Sequence, residues 1–174
     1  PKLIGVIHLP PLAGSVRTCG VAPFEALQIA GSQAVNEALS LVKAGYDGII
    51  LENFGDTPFY KSQVPPETVA SMAIIAGAIR EVGPSKKIKI GINVLRNDAR
   101  AALAIAAVTG CDFIRVNVLS GVTATDQGII EGDAAFIARE KARLHCDNVR
   151  SRPLPLPPPV SSARSPRPLF LPKA

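Results

Sequence analysis

The chain has 174 residues, 47% hydrophobic and 19% charged, enough for one globular domain with a sizeable core. Its longest apolar run, Ala101 to Val108, excludes a membrane-spanning helix, which takes about 20 residues, and no charged-then-apolar leader opens the chain. The formal charge of +5 lies entirely in the tail: residues 1–149 carry 14 Lys/Arg and 14 Asp/Glu, residues 150–174 five Lys/Arg and no acid, so no basic face is left for nucleic acid.

A cytoplasmic protein is expected, with an organellar location open because Pro1 stands where an initiator Met would. Cys19, Cys111 and Cys146 are far apart and odd in number, and no CxxC pair occurs. That spacing suits neither a disulfide framework nor a zinc site and fits a reducing compartment.

Leu3 to Ile7 is a short apolar run ending in His8 and the breaker pair Pro10-Pro11, which predicts a buried parallel strand followed by a loop. From Pro23 to Ala44 apolar residues recur with a helical period, and Gly45 stands beyond the end as a cap. Gly48 to Leu51 reads as the second strand. Pro65, Pro66 and Glu67 open a helix to about Val82, with prolines in the first turn and an acid near the positive dipole end. Ile88 to Val94 is the third strand. Asp98 can cap an alanine-rich helix from Ala99 to Val108, closed by Gly110. Phe113 to Val118 is the fourth strand, and a polar loop through Thr125 and Asp126 leads to a helix from Asp133 to Leu144.

Four strands alternating with four helices specify right-handed βαβ units and a parallel sheet. Ile114, Val116 and Val118 alternate with Arg115 and Asn117, and Ile90, Ile92 and Val94 alternate with Gly91 and Asn93. An open sheet covered on both faces wants apolar residues on both, so one polar set favours the interior of a barrel. No glycine-rich dinucleotide fingerprint or P-loop follows a strand. After Val149 the character changes, with eight of the sixteen prolines in the last 25 residues. That composition predicts a disordered or polyproline-like tail without helix or strand.

Four blocks now stand in order: Ile4 to Ser15 (IGVIHLPPLAGS), Asp47 to Asp56 (DGIILENFGD), Gly91 to Asp98 (GINVLRND), and Phe113 to Gly121 (FIRVNVLSG) with Thr125 to Gly132 (TDQGIIEG). Together they resemble the BtpA/SgcQ family over about residues 1–149. The resemblance implies a (β/α)8 barrel of the ribulose-phosphate-binding type, of which this chain would hold the first four βα units plus an irregular tail. It implies an activity less firmly: the family takes its name from a member needed for photosystem I biogenesis, other members lie in apparent sugar-utilisation operons, and an animal member is thought mitochondrial. From Arg150 onward the chain departs from the family, where a fifth strand and a Lys-His-Ala segment are expected. A frameshift or gene-end error accounts for such a tail better than an evolved extension.

Barrel active sites are built at the carboxyl ends of the strands. The candidates there are His8, Glu52, Asp98 and Asp126 for proton transfer, and Asn53, Asn93, Asn97, Arg115 and Asn117 for holding substrate. A histidine beside carboxylates suits acid–base work, an arginine suits an anionic substrate, and paired asparagines suit a carbonyl or hydroxyls. Plainer roles compete: a satisfied core histidine at His8, an interior ion pair of Glu52 with Arg115, a helix cap at Asp98, and mutual satisfaction of Asn93 and Asn117. Metal binding through His8, Glu52 and Asp56 is weak without HxH or HExxH spacing. Lys89, near a strand's amino end, is a poor Schiff-base candidate.

An enzyme of the isomerase, lyase or hydrolase kind, acting on a small phosphorylated sugar or related metabolite, is the first reading. A non-catalytic assembly factor for a membrane protein complex is the second. The cofactor is unknown, a small-molecule ligand is expected for complete relatives, and peripheral membrane association and homo-oligomerisation stay open. The chain by itself is expected to be inactive and poorly stable, because four units leave open strand edges. Arg152 to Pro158 also fits an RxLPxxP pattern for an SH3-type groove.

Overall fold

A computed structural model describes residues 3–82 and 88–153. The element order is β1 (Ile4–His8), α1 (Pro23–Lys43), β2 (Gly48–Glu52), α2 (Pro66–Val82), β3 (Lys89–Asn93), α3 (Ala99–Thr109), β4 (Phe113–Val116), β5 (Val122–Thr125), β6 (Gly128–Glu131), α4 (Ala134–Arg143) and β7 (Arg150–Pro153). Five strands make one sheet in the order β1-β2-β3-β4-β7, all neighbours parallel.

Local chemistry explains the element ends. Pro23 fills the first turn of α1, where its missing N–H is not needed. Asp98 accepts from the Ala101 amide to cap α3, and Gly110 ends that helix at φ +67, a left-handed conformation that suits glycine. Ala26, Ala30, Ala34 and Ala38 form the buried stripe of α1. Their spacing of four keeps small side chains on one face, so the helix backbone lies close to its neighbours.

The core sits on one side of the sheet. Ile7, Ile49, Leu51, Ile90, Ile92, Ile114 and Val116 are buried there with Ala30 and Ala34 of α1, Ile75 and Ile79 of α2, and Leu103 and Ile105 of α3. The opposite side, carrying Val6, His8, Ile50, Glu52, Gly91, Asn93, Phe113 and Arg115, is the open face, where Val6 is 40% exposed. At Gly91 a Cβ would run into the Phe113 ring, so this glycine makes room for the largest side chain on the open face.

Two expectations need correction. The segment from Arg150 does not lack strand structure: Arg150–Pro153 pairs with Phe113–Val116 along its length, and the Arg150 amide donates to the Asp112 carbonyl at 3.1 Å. Pro153 is tolerated because it ends the strand at the sheet edge, where its missing donor breaks no ladder. The described fold therefore runs four residues past Val149. The rest of the proline-rich tail, including most of the RxLPxxP pattern, lies outside the described residues.

The loop through Thr125 and Asp126 is also a structured element. β5 and β6 pair antiparallel as a hairpin, and the Thr125 hydroxyl donates to the Gly128 carbonyl at 2.8 Å across the turn. Alternation over four residues on each side is too short to stand out against polar turn residues.

Candidate functional site

Parallel register places His8 beside Glu52 and Glu52 beside Asn93. On β4, Arg115 is the register partner of Arg152. Side chains two residues apart share a face, so these groups form a row across the carboxyl ends of the strands.

Glu52 is the centre of that row, 3% exposed. Arg115 Nη1 lies 2.8 Å from its Oε1, and Asn93 Nδ2 donates to the same oxygen at 3.0 Å. His8 Nε2 stands 3.6 Å from Oε2, with its own side chain half-exposed. Asn93 Nδ2 also donates to Asn117 Oδ1 at 3.3 Å, and Asn117 Nδ2 to the Arg96 carbonyl at 2.9 Å. The ion pair of Glu52 with Arg115 and the bridging of the two asparagines thus both exist. A buried carboxylate with one oxygen clamped and the other beside an accessible imidazole can pass a proton between its partner and a bound molecule. Arg115 Nε is buried with no hydrogen-bond partner among the described residues.

Aromatic rings continue the site outward. His8 stacks on Phe54 with centroids 4.3 Å apart and planes 18° apart. Phe54 meets Phe59 at 6.1 Å, and the Arg96 guanidinium lies over Phe59 at 5.6 Å. Sequence reasoning missed Phe54, Phe59 and Arg96. The usable signal was an aromatic directly after the polar strand-end pair Glu52-Asn53.

The remaining candidates stand in the loops around this row, and Asn97 and Asp98 line a cavity of about 330 Å³. Asn53 accepts from the Leu95 amide at 2.7 Å and donates to Asp56 at 3.1 Å. Asp56 also accepts from the Leu12 amide at 2.8 Å; burial pushes its carboxyl above the ordinary range against these two hydrogen bonds, which lower it. Asn97 holds Val118 through both main-chain groups, at 3.2 and 2.8 Å. Asp98 caps α3 and accepts from the Val64 amide at 2.9 Å. Asp126 stands apart on the hairpin turn, exposed and 3.2 Å from Arg96.

A shared open face, rather than an enclosed cavity, gathers the central residues. Among the described residues, cavities of about 330, 540 and 320 Å³ are present, and these are not lined by Glu52, Asn93, Arg115 or Asn117. Among the described residues His8, Glu52 and Asp56 are not gathered into a group of three or more His, Cys, Asp or Glu side chains that could hold an ion. Asp56 turns to the Leu12 amide instead.

The model of the BtpA family matches residues 1–151. This chain belongs to the BtpA family. An uncharacterised protein of Pyrococcus abyssi is 50% identical over 142 residues, covering 82% of this chain and 51% of the relative. The photosystem I biogenesis protein BtpA of Synechocystis is 47% identical over 145 residues, 83% of this chain and 48% of its own. An uncharacterised mitochondrial protein of Caenorhabditis elegans is 33% identical over 152 residues, 86% and 53% respectively. The chain spans about half the length of the curated relatives it matches. No solved structure matches it. Among the described residues of this BtpA-family chain, no helix is long and apolar enough to cross a membrane.

Proposed function

We propose that the described residues are the amino-terminal half of a (β/α)8 barrel, and that complete proteins of this kind are enzymes acting on a small phosphorylated sugar or related metabolite. The observation that carries the reading is the convergence of His8, Glu52, Asn93 and Arg115 at the carboxyl ends of adjacent strands, on the face away from the helices. In a barrel that face is the interior, and those strand ends are where chemistry is built.

In this reading Glu52 and His8 move protons, Asn93 and Asn117 orient a carbonyl or hydroxyls, and Arg115 receives an anionic group. Proton shuttling next to a carbonyl fits isomerase, lyase and hydrolase chemistry alike. Asp98, Asp126, Asn53 and Asn97 act by shaping the loops around these groups.

Mass spectrometry of the metabolite that co-purifies with a full-length relative tests the proposal. A bound small phosphorylated compound, lost when the residue matching Glu52 is changed to Gln, is expected. A relative that carries no metabolite and tolerates that change without loss of function overturns it.

A second reading, assembly of a membrane protein complex, is favoured by the name of the Synechocystis relative. The same exchange separates the two. An assembly factor working through its outer surface keeps its function when the residues matching Glu52 and Arg115 are both changed to Gln.

A further inference from the structure

We propose that the cavity of about 320 Å³ between the loops that follow β1, β2 and β3 is a second ligand site, which takes an uncharged sugar ring. Glu52, Asn93 and Arg115 do not line it, so the site stands or falls apart from the reading above. Phe59, in its wall, joins it to the ring stack that begins at His8.

The polar groups of this cavity are few and held in place. Thr68, in the first turn of α2, is 4% exposed and lines it, yet its hydroxyl makes no hydrogen bond among the described residues. Folding gains nothing from a buried hydroxyl that lacks a protein partner, whereas a ligand in the cavity can supply one. Asp56 stands in the same lining. One of its oxygens accepts from the Leu12 amide at 2.8 Å and the other from Asn53 at 3.1 Å. These bonds fix the carboxyl and leave each oxygen able to accept once more, from a ligand hydroxyl.

Charge narrows the class of ligand. Asp56 is the one carboxylate in the lining, and no Lys, Arg or His stands there. Burial already pushes its carboxyl above the ordinary range, so a phosphate or carboxylate would meet repulsion with no cation to offset it. An ammonium group fares little better, because the Arg96 guanidinium already lies over the Phe59 ring at 5.6 Å and like charges repel.

The walls are apolar, with the rings of Phe59 and Tyr60 beside Val64 and Leu95, and Tyr60 is 58% exposed and free to cover an occupant. A mostly apolar pocket with a few placed polar groups is the usual make-up of a small-molecule site, and such sites begin at about 300 Å³. A sugar ring matches this division: its hydroxyls meet Asp56 and Thr68, and its C–H face lies against the aromatic rings.

Titration of the 174-residue chain with D-glucose at neutral pH, followed by NMR amide shifts, tests the proposal. Saturable shifts are expected at Ser15, Asp56, Tyr60 and Thr68. Thr68→Val exchanges the hydroxyl for a methyl and should weaken binding about fivefold, as for one lost neutral hydrogen bond. Tyr60→Ala, at an exposed position, should weaken it by a similar factor. Thr123→Val, on β5, should leave the affinity unchanged. In thermal unfolding without sugar, Thr68→Val should melt no lower than wild type, because it removes a hydroxyl that has no partner.

No saturable shifts with glucose, shifts confined to other parts of the chain, or undiminished affinity in Thr68→Val or Tyr60→Ala would each overturn the site. A lower melting temperature for Thr68→Val would overturn it too, by showing that the hydroxyl serves the fold. D-Glucosamine or inorganic phosphate binding at these residues more tightly than glucose would refute the uncharged class.

Discussion

Two carboxylates, Glu52 and Asp112, sit at opposite ends of the same sheet, and each is clamped by side chains from neighbouring elements. Asp112 takes Lys89 Nζ at 2.7 Å, Arg80 Nη2 at 2.9 Å and the Ile90 amide at 3.0 Å. It thereby ties α2 and β3 to the start of β4, while Arg80 also reaches the Gly110 carbonyl. Glu52 is held by Arg115, Asn93 and His8, and none of these described partners is a backbone amide. A carboxylate that satisfies main-chain donors cannot be exchanged without opening the fold. One held by side chains alone can trade partners with a ligand. The amino end of the sheet is a staple, and at the carboxyl end the described partners of the carboxylate are side chains.

The sharpest way to break this comparison is to remove Glu52. Glu52→Ala leaves Arg115 without its carboxylate, and the loss should be about 3 kcal/mol, the lower end for a buried pair because Arg115 keeps some exposure. The double change Glu52→Leu with Arg115→Leu should recover most of that stability in urea unfolding, since an apolar pair has no orphaned charge. Failure of the double variant to recover would make the Glu52 cluster as structural as the Asp112 staple.

Asp98 comes next. It serves two main-chain donors, from Ala101 and Val64, so Asp98→Ala should cost about 1–2 kcal/mol as a lost cap plus a lost loop anchor. A variant as stable as wild type would return Asp98 to the list of groups held for chemistry.

Asp112 sharpens the contrast through pH. Burial raises its carboxyl, but hydrogen bonds from Lys89, Arg80 and the Ile90 amide, with the Arg80 charge, outweigh this and hold it below the ordinary aspartate range. A lowered folded-state value means stability that is fully present above about pH 4 and lost as pH falls through the lower folded value. Asp112→Asn should therefore be less stable than wild type at neutral pH, and the gap should close in acid denaturation curves. A constant gap down to the acid limit would refute the staple.

The smallest effect belongs to Asp126, whose contact with Arg96 at 3.2 Å is on an exposed turn. Asp126→Ala should change unfolding stability by no more than about 0.5 kcal/mol. A larger loss would show that the hairpin braces the site.

Much of this was readable from residues alone. The helical period of α1, the cap and stop of α3 at Asp98 and Gly110, and the alternation in β3 and β4 are local patterns, and local patterns follow from backbone geometry; which face of α1 is buried was decided by packing, for Phe24 and Leu39 of the apolar set are exposed while Ala26 is buried. Because a strand side chain flips face at every residue, the polar set Asn93, Arg115 and Asn117 could be assigned one face before any contact was known. Family membership was likewise written in four ordered blocks.

Other features depended on neighbours far along the chain. Whether Glu52 meets Arg115, Asn93 and His8, and not solvent, depends on register between strands some forty residues apart. That register is set by packing against the helices rather than by any short motif. Asn53, Asn97 and Asp98 look like site residues in sequence, but they spend their polar atoms on the amides and carbonyls of Leu95, Val118, Val64 and Ala101. Arg150 to Pro153 carries the composition of a loose tail and becomes a strand only because the edge of β4 presents unpaired donors and acceptors to it. Sequence by itself determined the elements and the sidedness of the strands, which are properties of a single segment. Tertiary structure decided which polar groups were used up by the backbone and which were left facing outward, because hydrogen-bond satisfaction is settled only when distant segments meet.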